Sequence, residues 1–247
     1  MSPSVKNFPV VCVGGSAGGL DAYIRLLQNL PADMGVAIVI ANHITSMPTH
    51  LHEVLPRFTT MPVDLITERL QIEPNRIFII PENRDLHVLN GEFHLKPISK
   101  PRGWPDVITV FLRSLTDYWD GKLIAVIVSG YDGDGAAALC GIKEIGGITI
   151  AQKPSTATQP DMPESAIDSG CIDFVLSPEE IAQQIVRIAR VEAYGTRLLA
   201  VHQLSPIWQL MLMPLTPVMP VRGGSMEVSG WKSQEAFEML PSVSGGD

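Results

Sequence analysis

The chain has 247 residues, 45% hydrophobic and 18% charged, with a mean hydropathy of +0.18. That length suits one large domain, or one domain with an appendage, and the apolar fraction excludes wholesale disorder. The formal net charge is −8, from 18 basic and 26 acidic residues with no Lys/Arg cluster, which argues against nucleic acid or an anionic membrane as partner.

In chain order, Val10–Val13 is a β-branched run ending at Gly14-Gly15, and residues 18–30 carry apolar side chains at helical spacing (Leu20, Tyr23, Ile24, Leu27, Leu30) until Pro31 stops them. Val36–Ala41 is apolar at every position, as expected of a strand buried on both faces of a parallel sheet. The segment around Asn90-Gly91 reads as a β-hairpin with a type I′ turn, an antiparallel patch expected to extend the parallel sheet. A helix is expected from Asp106 to Trp119, a third buried strand at Leu123–Val128, a helix over Ala136–Ile145, a fourth strand at Gly147–Gln152, and a last helix from Ser177-Pro178 to about Tyr194. Strand, loop, helix, strand is βαβ grammar. The fold class is therefore α/β, a doubly wound, mostly parallel sheet with helices on both faces and an added hairpin.

The grammar stops at Gly195. Leu198 to Val221 carries no Asp, Glu, Lys or Arg, but Pro206, Pro214, Pro217 and Pro220 each cost roughly 3 kcal/mol inside a helix, so no membrane insertion is expected. Residues 1–195 read as the working domain and 196–247 as a Pro/Met-rich tail, disordered at its end. Cys12, Cys140 and Cys171 are far apart and fit no C-x-x-C pattern. They read as reduced thiols of a cytoplasmic protein, and Met1 to Pro9 is no signal peptide.

The sharpest motif is Gly14-Gly15-Ser16-Ala17-Gly18-Gly19 between the first strand and the first helix. It matches G-x-S-x-G and places a serine hydroxyl beside a helix N-terminus, whose N–H groups can hold an oxyanion. The alternative is a phosphate-binding turn. A nucleophilic serine needs a base, and of six histidines His43 directly follows the buried second strand. His50 and His52 form an H-x-H without a third ligand, so no metal or cofactor is expected, and His87, His94 and His202 read as ordinary polar residues. A base needs an orienting carboxylate, and Ser129-Gly130-Tyr131-Asp132-Gly133-Asp134-Gly135 follows the third strand; the residues alone leave Asp132 and Asp134 as alternatives. The order Ser, His, Asp differs from that of an α/β-hydrolase. A non-catalytic phosphate- or peptide-binding signalling module is the other class of function compatible with the glycine loop.

These motifs resemble the catalytic domain of the chemotaxis protein-glutamate methylesterases, the CheB family, over roughly Pro9 to Ala189. The carriers are the Gly14–Gly19 turn, Asn42-His43, the Gly130–Ala136 loop, Ala151-Gln152 and Met162-Pro163-Glu164-Ser165-Ala166-Ile167. The resemblance implies hydrolysis of γ-glutamyl methyl esters on the cytoplasmic helices of methyl-accepting chemoreceptors, with glutamine deamidation in some members. It implies Ser16 as nucleophile, His43 as base, Asp134 as orienter, and the Ala17 and Tyr131 N–H groups as oxyanion donors. Asp132 stands where the family loop has a glycine. A positive φ there would carry strain, and its carboxylate would raise the His43 pKa. Only Met1 to Phe8 precede the first strand, so control by a separate receiver-domain protein is expected.

Overall fold

The computed structural model describes residues 8–42, 50–100, 105–119 and 122–202, with 193–202 given as helix backbone only. In chain order the elements are β1 (Val10–Gly15), α1 (Gly19–Leu27), β2 (Ala37–Asn42), α2 (Leu51–Val54), β3 (Val63–Leu65), β4 (Arg76–Ile79), β5 (Arg84–Leu89), β6 (Glu92–Pro97), α3 (Val107–Tyr118), β7 (Leu123–Ile127), α4 (Leu139–Glu144), β8 (Ile148–Gln152), α5 (Asp161–Asp168), β9 (Phe174–Leu176) and α6 (Pro178–His202).

Seven strands form one sheet in the order β3-β4-β2-β1-β7-β8-β9, every pair parallel. Alternate residues of the central strands face opposite cores. Val10, Cys12, Ala37 and Val39 join α3, α4, α5 and the hairpin on one side. Val11, Val13, Ile38 and Ile40 join α1 and α6 on the other. This is why those strands are apolar at every position. Each buried Val or Ile contributes roughly 1.5–3 kcal/mol through the water it sheds. The first turn of α6 closes as a capping box: the Ser177 N–H donates to Glu180 Oε2 at 2.9 Å, and the Glu180 N–H to Ser177 Oγ at 3.4 Å. The helix runs on to His202, past Tyr194. The edge strands β3 and β9, the inner strand β4, and helices α2 and α5 are additions to the elements read from sequence. The tail from residue 203 lies outside the described residues.

Two expectations are corrected. The hairpin forms as read, with Asn90 at φ 54° and Gly91 at φ 76°, but it does not extend the parallel sheet. Strands β5 and β6 make a separate two-stranded sheet packed on α3. The buried Ser114 hydroxyl of α3 accepts the Val88 N–H at 2.8 Å, so a helix side chain takes a strand amide that a sheet neighbour would otherwise take. Second, Cys140 and Cys171 are joined as a disulfide with Cα atoms 5.1 Å apart, and Cys12 is the free thiol. The two cysteines are 31 residues apart in sequence. Folding brings the start of α4 against the segment between α5 and β9, a proximity that no local spacing encodes.

Replacing Ser114 by Ala strands the buried Val88 amide and is expected to destabilise the fold by about 1–3 kcal/mol in urea titration, with the β5–β6 amides losing hydrogen-exchange protection first. The Cys140→Ser/Cys171→Ser double variant is expected to unfold about 3–4 kcal/mol more easily than the oxidised protein, and a reductant should remove the difference.

Candidate active site

The three central strands β2, β1 and β7 end side by side, with Gly15 opposite Asn42 and Gly14 opposite both Ala41 and Ile127. After β1 the chain builds the sheet outward through β2, and it later returns to β7 on the other side of β1. The crevice beyond the ends of β1 and β7 is thus a topological switch point, where α/β sheets hold their sites.

Ser16 leaves β1 into this crevice, its N–H donating to the Ser129 carbonyl at 2.9 Å. Gly18 follows at φ 74°, and a Cβ there would lie 2.6 Å from Ser129 Oγ and 2.5 Å from Thr158 Cβ. Both the backbone conformation and the close approach therefore demand glycine. Gly130 is constrained by close approach alone: a Cβ on it would stand 2.6 Å from Met162 Cε and 3.0 Å from Ser16 Cβ. The loop after β7 thus lies directly against the Ser16 side chain. Among the described residues, no acceptor takes the N–H of Ala17 or of Tyr131.

Asp134 is 6% exposed, and both its oxygens are engaged. Oδ2 accepts the Ile108 N–H at 2.8 Å and Oδ1 the Thr109 N–H at 2.9 Å. These are orphan donors of the first turn of α3, whose own preceding residue, Asp106, makes no side-chain cap. Asp134 therefore caps α3 from a different loop, and the helix dipole favours its ionised form. The Thr109 hydroxyl in turn accepts the Gly135 N–H at 2.8 Å. Asp132 does something else: its Oδ1 accepts the Asp134 N–H at 3.0 Å, a local turn that presents Asp134. The expected strain at Asp132 is absent, because its φ is not positive; the positive φ of this loop falls on Gly135, at 93°.

Sequence reasoning passed over the residues that lock the two loops together. The buried Ser129 hydroxyl donates to the Ala17 carbonyl at 2.8 Å and accepts the Gln159 N–H at 2.9 Å. The Ser129 N–H donates to Gln152 Oε1 at 3.0 Å, and Gln152 Nε2 donates to the Thr156 carbonyl at 2.9 Å. The Met162 N–H donates to the Gly130 carbonyl at 2.9 Å. The Ala151-Gln152 and Met162–Ile167 segments were the available signal, but nothing in their composition specifies a hydrogen-bonded hub.

His43 lies outside the described residues. Asn42, the residue before it, accepts the Tyr23 hydroxyl hydrogen at Oδ1, 3.0 Å away. Burial pushes the Tyr23 phenol well above its usual range, so it stays a donor. Cys12 is buried within β1, four residues before Ser16, and burial together with the Asp134 charge pushes its thiol far up, which excludes it as a nucleophile at neutral pH. His50 and His52 flank Glu53 at 3.6 Å each around α2. His87 and His94 face each other across the hairpin. His202 ends α6.

Residues 11–185 match the family described as CheB methylesterase. The chain belongs to this family. A Leptospira interrogans relative is 31% identical over 184 residues, covering 74% of this chain and 95% of its own length. A Burkholderia thailandensis protein named "Protein-glutamate methylesterase/protein-glutamine glutaminase 4" is 31% identical over 185 residues, and there the match spans 54% of the relative. Among solved structures, the CheB methylesterase catalytic domain of Thermotoga maritima aligns with a TM-score of 0.66 at 26% identity, over 74% of this chain and 98% of that one. The CheB likeness thus covers the strands, the switch-point crevice and both loops, and the family match ends in the first third of α6.

Asp134→Asn puts an amide hydrogen where one of two backbone N–H groups now finds an acceptor. It is expected to lower unfolding free energy by about 1–3 kcal/mol in denaturant titration. Asp132→Asn keeps an oxygen for the Asp134 N–H and is expected to cost within about 0.5 kcal/mol.

Proposed function

We propose that this chain is a protein-glutamate methylesterase in which Ser16 is the nucleophile, His43 the general base and acid, and Asp134 the carboxylate that orients the imidazole. The observation that carries this reading is the meeting of the Ser16 turn and the Asp134 loop in one crevice, with Gly130 against the Ser16 side chain. The β1–β2 register supports the third member, because Gly15 stands opposite Asn42 and His43 is the next residue in the chain.

The chemistry runs in two halves. His43 takes the Ser16 proton as the hydroxyl oxygen attacks the γ-glutamyl ester carbonyl, and the alkoxide is held by the Ala17 and Tyr131 N–H groups. The intermediate collapses with loss of the methoxy group, which leaves as methanol with the proton from His43. Water, activated by the same imidazole, then attacks the acyl-serine and returns the free carboxylate and the Ser16 hydroxyl. Asp134 is well suited to the orienting role, since two backbone N–H groups of α3 hold its carboxylate in place. Deamidation of glutamine side chains follows the same path with ammonia as leaving group, and the double name of the Burkholderia relative supports it as a second activity.

The substrates proposed are methylated glutamates on cytoplasmic helices of methyl-accepting chemoreceptors, with residues 1–195 as the catalytic domain, 196–247 as an appended tail and a separate receiver-domain protein as regulator. A cytoplasmic setting suits these substrates. Among the described residues, no helix is long and apolar enough to cross a membrane.

Methanol release from a methylated receptor peptide tests the assignment. Ser16→Ala and His43→Ala are expected to abolish turnover, a loss of about 10⁶-fold, Asp134→Asn to lower it about 10⁴-fold, and Asp132→Asn only mildly. A fluorophosphonate should label Ser16 covalently. A lethal Asp132→Asn with a mild Asp134→Asn would reverse the carboxylate assignment. An unlabelled Ser16 in a protein stabilised by nucleotide would favour the non-catalytic binding module.

A further inference from the structure

Between the β5–β6 hairpin and the outer face of α3 lies a cavity of about 440 Å³, separate from the crevice that holds Ser16. Its lining includes His87, His94 and Lys96 from the hairpin and Arg113 from α3, with Asp117 as the one acidic side chain. A concave surface with four basic side chains is unexpected on a chain of net charge −8.

The four basic side chains are unequally satisfied. His94 Nδ1 lies 3.1 Å from Glu68 Oε1, so that histidine already has a carboxylate. Lys96 and Arg113 are exposed, and among the described residues neither has a carboxylate within ion-pair distance, although Asp117 is one helical turn from Arg113. His87 is half-buried and its pKa is lowered, first by burial and then by Lys96 and His94, with Asp85 opposing. The apolar part of the wall is equally specific. Val88 and Val110 line the interior, while Leu89 at 42% and Tyr118 at 54% exposure hold apolar surface open at the rim. Unneutralised cations beside an apolar wall, in a cleft of this volume, are the usual makings of a small-molecule site. The acidic balance of the chain as a whole disfavours a polyanion.

We propose that this cavity binds a small amphipathic anion, one carboxylate or phosphate group meeting Lys96 and Arg113 while its apolar body lies against Leu89, Val110 and Tyr118. The same chemistry is offered by a free organic acid or phosphate and by an acidic side chain next to an apolar one in a peptide.

The test is calorimetric titration of the intact chain with benzoate, phenyl phosphate, the neutral analogue benzamide, and the capped dipeptide acetyl-Asp-Leu-amide. Saturable binding of benzoate or phenyl phosphate, with none of benzamide, supports the site as one for a free anion; tighter binding of the dipeptide supports the peptide source. In the Lys96→Met/Arg113→Met variant the affinity should fall at least about tenfold, the size of effect expected for a single charge-assisted hydrogen bond to the anion. Both side chains are exposed, so the variant should melt as the parent does and Ser16 should label at the same rate. No binding of any anion up to about 10 mM, equal binding of benzamide, or undiminished binding in the double variant would each overturn the proposal.

Discussion

The Asp134 carboxylate accepting two N–H groups at the start of α3 is the interaction on which the rest of the site depends. It joins the loop after β7 to the first turn of α3, the helix that leads into β7. Both partners are incomplete alone: α3 lacks a side-chain cap of its own, and a carboxylate 6% exposed needs compensating donors. Each satisfies the other. The loop is thereby pinned at Asp134, through two backbone donors of α3.

From that anchor the constraint spreads in two directions. Toward the crevice, the loop meets the Ser16 turn through Gly130, and the Ser129–Gln152 hub ties the ends of β1, β7 and β8 to one another. The Ser129 N–H to Gln152 bond is buried, so distorting it leaves polar atoms without water to replace it. Away from the crevice, the same helix carries Ser114, which holds the hairpin, and Arg113, which lines the cavity between them. Helix α3 is therefore the shared wall of two separate concavities. On the far side of the loop, the Cys140–Cys171 bridge ties the start of α4 to the approach to β9.

The legible part of the fold was the part with a strong local signal. The central strands β1, β2 and β7 carry uninterrupted apolar runs because both their faces are covered. The strands that went unread are short, and the edge pair β3 and β9 is partly exposed, so their runs look like ordinary loop sequence. Strand β4 shows the same limit from inside the sheet: its Arg-Ile-Phe-Ile is too short to tell from a buried turn of helix. The hairpin was readable because Asn90-Gly91 specifies a turn by backbone conformation alone. Its docking was not, because the partner for the Val88 amide comes from Ser114, 26 residues away.

The site divides along the same line. The sequence by itself determined the chemistry on offer: a serine in a glycine turn, a histidine after a buried strand and two candidate carboxylates after a third, since residue type and position at a strand end are local facts. Only the tertiary structure decided which carboxylate is the buried one, that Asp132 serves the turn without strain, that Cys140 reaches Cys171, and that Gly130 rests against Ser16. Each of those outcomes is a distance between segments far apart in the chain. Such distances are set by how strands order themselves around a common core, a property of the whole packing that no single stretch of residues carries.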